Sequence, residues 1–175
     1  CITDWVNSWA LPEIFAGVPG RGADDAILLN GILLEYFRVT QQEFSGGAAD
    51  LAKCFDQVVR ELVEVVLKKA GMPERICTPY LHCLNNLDVY NSFDGHLGEA
   101  HRHPTGIPQG CPFSMLVLAL LLRPWILSMK DLGLQPRVLA DDVLLLAASH
   151  QHIDSSDPRH HTGRSVSYTH LTLPT

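Results

Sequence analysis

The run RVLADDVLLLAAS places two adjacent acids, Asp141 and Asp142, between two aliphatic blocks. Charged side chains are rarely buried, so the pattern predicts two short strands joined by a tight hairpin, with the acids at the join. A third acid, Asp50, lies near the end of another short apolar segment, SGGAADLAKCF. If these strands are neighbours, three carboxylates converge and repel one another unless divalent cations lie between them. A surface turn is the plain structural alternative for Asp141 and Asp142.

Clustered carboxylates of this kind favour hard cations. Oxygen-only ligands select Mg²⁺, which keeps water ligands and also binds substrate phosphates. Two such ions about 3.5–4 Å apart suit in-line phosphoryl transfer, because one activates the attacking hydroxyl and the other stabilises the leaving oxygen. The three acids therefore indicate a site for two Mg²⁺ ions, with Mn²⁺ as a substitute.

Three segments, taken in order, resemble successive palm motifs of reverse transcriptases, most closely those of non-LTR retrotransposons and group II introns. They are ADLAKCFD, GIPQGCPFSM and LADD, and GVPGRGADDAILL resembles a segment upstream of them in the same enzymes. The resemblance covers roughly residues 15–148. It implies an RNA-directed DNA polymerase that transfers nucleotides onto a primer 3′-hydroxyl. It also implies an α+β fold, a right-hand polymerase palm with part of the fingers, whose antiparallel sheet carries the catalytic acids and packs on helices.

The resemblance assigns roles residue by residue. Asp50 matches the first metal-binding carboxylate, and Asp141 matches the second, with Asp142 as its adjacent partner. Phe55 matches a steric gate that excludes a ribose 2′-hydroxyl. The further candidates for binding nucleotide or template are Gln109, Gly110, Lys53 and Arg21. Each role has a structural alternative. Phe55 would be a core residue at a strand end, and Gln109 and Gly110 would belong to a Pro/Gly connection before a helix. Lys53 would be a solvent-facing lysine, and Arg21 an ordinary loop arginine.

Two features depart from the family. Leu139 stands where the family has Tyr or Phe before the acids. The formal net charge is −6, whereas a protein that holds nucleic acid usually has a basic surface. Fingers motifs expected before Cys1 and a basic thumb expected after Ala148 would account for this balance. The partners implied by the resemblance are an RNA template, a DNA primer and deoxynucleoside triphosphates.

Other functions remain open beside the polymerase. The chain fits a non-catalytic remnant of a decayed or truncated retroelement, which would keep the motifs without closing a cleft. RNA-dependent RNA polymerases usually carry Gly before the acids, and a bulky Phe55 disfavours their substrate. A plain α/β binding domain would leave the order of the three motifs to coincidence.

Periodicity and turn residues predict the elements that position these acids. Helices are predicted at 23–37, 56–71, 73–87 and 113–132, with a strand at 45–55 that ends near Phe55. The helix from Asp56 is expected to bury one face, made of Val58, Leu62, Val65 and Val66. Asp94-Gly95 predicts a type I′ hairpin turn. The helix 113–132 is apolar on nearly every side, so it should lie at the centre of the fold.

Composition bounds the rest of the chain. The five cysteines form no CxxC pair, which favours reduced thiols and an intracellular protein, nuclear or cytoplasmic. The apolar run Met115–Leu122 is too short for a bilayer, so a buried helix and no membrane contact are expected. Residues 1–148 are therefore interpreted as a partial reverse transcriptase domain. Residues 149–175 are polar and His-rich, and their end resembles vector read-through, which predicts a disordered or non-native tail.

Overall fold

The computed structural model of the chain describes residues 2–148 and the backbone of residues 165–171. Within these residues the fold is mixed α+β, as the sequence predicted. The helices are α1 (Ile2–Trp9), α2 (Ala23–Val39), α3 (Cys54–Gln57), α4 (Arg60–Lys69), α5 (Glu74–Asn85) and α6 (Pro112–Asp131). The strands are β1 (Phe44–Leu51), β2 (Val89–Phe93), β3 (His96–His101), β4 (Gln135–Leu139), β5 (Asp142–Ala148) and β6 (Ser165–Leu171).

Four strands form one sheet in the order β4-β5-β1-β6. Strand β5 is antiparallel to both β4 and β1, while β6 runs parallel to β1. A two-residue turn, Ala140–Asp141, joins β4 to β5, and Ala140 adopts a φ of 57° there. The prediction of a tight hairpin with the acids at its join is therefore confirmed.

The two faces of this sheet carry different side chains. Directly paired residues point to the same face of a sheet, and neighbours along a strand point to opposite faces. The pairs Asp50–Asp142 and Arg137–Leu144 therefore share one face, which we call the acid face. The pair Val138–Val143 lies on the other side, which we call the core face.

The core face packs on helices. Val138, Val143 and Leu51 join one buried hydrophobic cluster with residues of α1, α4, α5 and α6. Helix α6 begins with Pro112 at its first turn and contributes Val117 to the centre of this cluster, as the sequence predicted. Among the described residues, α6 is the one helix whose length and apolar composition would also allow it to cross a bilayer.

The acid face packs on α2. The Phe37 ring of this helix stacks on Phe44 of β1, with 5.0 Å between the ring centroids. Ala26 and Phe37 are buried, whereas most of the other apolar side chains of α2 are exposed. Asp25 accepts a hydrogen bond from the backbone N–H of Gly22 (2.8 Å), which fixes the start of the helix. Only a narrow stripe of α2 therefore holds it against the sheet.

The region after β1 differs from the prediction. The strand ends at Leu51, and Phe55 belongs to the short helix α3. Helix α4 starts at Arg60, because Val58 is extended and its carbonyl accepts a hydrogen bond from Gly106 (2.7 Å). The predicted start at Asp56 is therefore wrong.

The buried face of α4 was also predicted wrongly. Val63 and Leu67 are buried, while Leu62 and Val65 are about half exposed. Both sets of residues have helical spacing, so packing against α5 and α6 decides between them. The opposite face of α4 is charged, and Lys68 Nζ lies 2.6 Å from Glu64 Oε1 there.

Of the predictions for the remaining segments, the turn at Asp94-Gly95 is confirmed, and the absence of regular structure in the tail is not. Asp94 and Gly95 both have positive φ, 48° and 79°, at the predicted turn between β2 and β3. The tail was expected to lack regular structure, but Ser165–Leu171 forms β6 beside β1. Its sequence is rich in Val, Tyr and Thr, which favour strands, and an unpaired strand edge is a template for further pairing. The rest of the predicted tail lies outside the described residues.

Candidate active site

Asp50 and Asp142 are directly opposite each other on neighbouring strands. Asp50 is the last but one residue of β1, and Asp142 is the first residue of β5. Both carboxylates therefore point to the acid face at one end of the sheet. Like charges placed directly opposite destabilise a sheet, so this arrangement is costly unless another group offsets it.

Asp141 lies one residue outside this ladder, in the turn. Its backbone carbonyl accepts a hydrogen bond from the N–H of Leu51 (3.1 Å). The turn is thereby held against the end of β1. The resemblance assigns Asp50 and Asp141 as the two metal-binding carboxylates, whereas the strand register places Asp142 opposite Asp50. A separation between Asp50 and Asp141 within reach of one metal ion stays a prediction.

The charges of Asp50 and Asp141 act on the same two neighbouring groups, the carboxylate of Asp142 and the thiol of Cys54. Burial raises the pKa of Asp142 above its ordinary value, and the charges of Asp141 and Asp50 raise it further. Burial also raises the pKa of the Cys54 thiol to about 11, again with contributions from Asp141 and Asp50. Each proton taken up or cation bound here would relieve this repulsion.

The described residues supply only some of the ligands that a metal ion needs. Within the part of the chain that the structure describes, no three His, Cys, Asp or Glu residues are grouped closely enough to hold an ion by themselves. Two carboxylates of one face are a donor set that Mg²⁺ accepts, because this ion commonly takes one or two carboxylates together with water and substrate phosphate.

A second predicted segment, the loop 106–110, is tied to the segment that follows β1. The N–H of Ile107 donates to the carbonyl of Phe55 (2.9 Å), and Arg60 Nε donates to the carbonyl of Gly106 (2.9 Å). Gly106 has a φ of 92°, and a Cβ at this position would lie 3.1 Å from the Asp56 carbonyl oxygen. Only glycine fits this close approach without strain.

The other predicted site residues are distributed around these contacts. Gln109 and Gly110 are exposed, and Gly110 has a φ of 84°. Lys53 is exposed and precedes α3 with a φ of 50°. Phe55 is half-buried and packs against the hydrophobic cluster of the core face, which matches its structural alternative of a core phenylalanine.

Arg21 makes contacts within its own loop. Its Nη1 donates to the carbonyls of Leu11 (2.6 Å) and Ile14 (3.0 Å). These bonds fasten the GVPGRG loop to the segment before it. This nitrogen therefore has a structural role, and the predicted contact of Arg21 with phosphate stays a prediction.

The structure adds two polar residues that the sequence reasoning missed, Asn30 on α2 and Arg137 on β4. Both line a cavity of about 440 Å³ between α2 and the acid face, and Asp50 and Asp142 line the same cavity. We call it the α2 cavity. Two signals were available for them. Arg137 lies two residues before Leu139 and so shares its face of the predicted strand, and Asn30 is a polar residue in an apolar helix.

No protein-family model matches the chain, and no curated protein does either.

Proposed function

We propose that this chain forms part of the palm of an RNA-directed DNA polymerase from a retroelement. Its substrates would be an RNA template, a DNA primer and deoxynucleoside triphosphates, acting inside the cell. The observation that carries the proposal is the meeting of three segments that are far apart in sequence and resemble palm motifs in the same order.

Two backbone contacts support this convergence. The bond from Leu51 to Asp141 joins the first segment to the third, and the bond from Ile107 to Phe55 joins the first to the second. Neither contact is between neighbours in sequence. A coincidental set of motifs would not require the three to share one corner of the fold.

The acids supply the chemistry in this proposal. Asp50 and Asp142, with Asp141 beside them, would hold two Mg²⁺ ions, and Mn²⁺ would substitute. When bound, the ions would activate the primer hydroxyl and stabilise the leaving oxygen. Burial raises the pKa of Asp142, and the charges of Asp141 and Asp50 raise it further. A cation bound beside these carboxylates would offset their repulsion, which favours this reading.

The neighbouring residues would position the nucleotide. Phe55 would exclude a ribose 2′-hydroxyl, and the exposed Gln109 and Gly110 would meet the base and the template. Lys53 is exposed next to α3, where its ammonium would reach a phosphate group. Holding the reacting groups in line lowers the barrier substantially, so these residues matter as much as the metal ligands.

Primer extension tests the proposal. The segment is expressed within a longer reading frame that supplies fingers and thumb, and is assayed with an RNA template, a DNA primer and Mg²⁺. We expect extension that Asp50→Asn and Asp141→Asn each abolish. Asp24→Asn, in the other Asp-Asp pair of the chain, is the matched control and should leave extension unchanged.

The outcomes separate the two readings of the chain. Extension that survives Asp141→Asn would overturn the metal assignment. Cation binding by the acids without any extension from the longer protein would favour the non-catalytic remnant.

A further inference from the structure

The α2 cavity combines apolar walls with a few polar groups, which is typical of small-molecule sites. Its volume of about 440 Å³ lies within the range of such sites. The apolar part is lined by Phe15, Ala26, Ile27, Ala48, Leu139 and Leu144. The cavity exists because β1 contributes only a small side chain, Ala48, opposite Leu144 of β5.

Two polar atoms in the cavity have unused hydrogen-bonding capacity. Nε of Arg137 and Oδ1 of Asn30 are buried, and neither has a hydrogen-bond partner among the residues that the structure describes. Arg137 is held in place by another atom, since its Nη1 donates to the carbonyl of Pro136 (2.8 Å). A buried polar atom without a partner is destabilising, so a ligand that bonds to both atoms would remove that cost.

The charges around the cavity restrict the ligand. Asp50 and Asp142 bring two carboxylates, against one guanidinium from Arg137. An anionic group buried here would therefore be repelled unless a cation accompanied it. The free atoms themselves are one donor, Arg137 Nε–H, and one acceptor, Asn30 Oδ1. A neutral, flat ring with one acceptor and one N–H donor satisfies both and fills the apolar space.

We propose that the α2 cavity binds the base of a nucleoside, with Arg137 and Asn30 as the residues that hold it. Every nucleobase carries adjacent donors and acceptors on its edge. The sugar would then point to the end of the cavity at Asp50 and Asp142. Binding of the base requires neither metal nor polymerisation; only its identification with the incoming nucleotide rests on the proposed function.

Titration of the chain with adenosine, without divalent cations and followed by NMR, tests this inference. We expect saturable shifts for resonances of α2 and β4. Arg137→Met and Asn30→Leu should each weaken binding at least about tenfold, since each removes one partner of a buried hydrogen bond. Arg102→Met is the matched control, because Arg102 pairs with the exposed Asp88 beside the β2–β3 hairpin.

A second readout separates binding from a structural role. Asn30→Leu replaces an unpartnered polar atom with an apolar one, so it should keep or raise the denaturation midpoint while it loses adenosine. Arg137→Met also removes the hydrogen bond from Nη1 to the carbonyl of Pro136, so for this variant the adenosine affinity is the readout and the midpoint is not. Adenosine binding that is unchanged in both variants would overturn the inference at any midpoint. So would equally tight binding of ribose 5-phosphate, because the cavity would then recognise the anion and not the base.

Failure of this inference is distinguishable from failure of the proposed function. If the chain binds cations at the acids but does not bind adenosine, the base site is rejected and the polymerase proposal stands. If the chain binds adenosine but no cation, the metal site of the polymerase proposal is rejected and the base site stands.

Discussion

Replacement of Asp142 by Asn tests how strongly the acids repel one another. The side chain changes little in shape, but the charge opposite Asp50 disappears. Like charges directly across a strand pair cost about 0.2–1 kcal/mol, and the exposure of Asp142 keeps the value within this modest range. We therefore expect Asp142→Asn to raise the free energy of unfolding at pH 7 by about 0.5 kcal/mol, or the melting temperature by about 1–2 °C.

The pH dependence of this difference has a defined sign. Burial and the neighbouring acids raise the pKa of Asp142 in the folded state. The folded protein then takes up a proton at a higher pH than the unfolded chain does, so wild type gains stability relative to the variant as pH falls through the folded pKa. The advantage of the variant should be complete at neutral pH and vanish below the pKa of an unfolded aspartate, about 3.9.

Urea denaturation between pH 3 and pH 8, without divalent cations, measures both effects. Asp24→Asn is the control with the opposite sign, because Asp24 lies in the first turn of α2, where the helix dipole favours a negative charge by about 0.3–1 kcal/mol. A lower stability of Asp142→Asn at pH 7, or a difference that does not change with pH, would refute the repulsion argument.

Three further predictions concern other parts of the chain. Phe55→Ala, in the longer protein, should raise ribonucleotide relative to deoxyribonucleotide incorporation in primer extension, and an unchanged ratio would reject the gate. Gly46→Ala should destabilise the fold by about 1–3 kcal/mol in urea denaturation, since the added Cβ would lie 2.7 Å from the backbone carbonyl oxygen of Leu145, whereas Gly31→Ala in α2 meets nothing within 4 Å and should stabilise. The 175-residue chain alone should not extend a primer, because the fingers and thumb that position the substrates are expected outside it; extension by this chain would contradict that argument.

The local features of the fold were readable from sequence where one short signal decides them. Asp94-Gly95 requires a turn with positive φ, and an acid pair between aliphatic blocks requires a hairpin. The register was not readable, because a one-residue slip exchanges the faces of a strand. The two-residue turn at Ala140–Asp141 places Asp142 on the acid face, and a shift by one residue would have placed Asp141 there.

Features that depend on distant contacts were missed. Helix α4 starts late because Gly106 binds the carbonyl of Val58, a contact across 48 positions of sequence. Helix α1 was not predicted; its eight residues are held by burial of Trp5, Val6 and Trp9 in the core, and such a short helix has little stability of its own. The α2 cavity likewise arises only when the helix packs on the sheet.

Binding of Mn²⁺ to the chain, followed by electron paramagnetic resonance of the free ion, tests whether Asp50 and Asp142 form a metal site. We expect saturable binding that Asp50→Asn and Asp142→Asn each abolish, that Mg²⁺ competes away, and that Asp24→Asn leaves unchanged. Equal Mn²⁺ binding by wild type and all three variants would contradict the claim that these acids form a metal site.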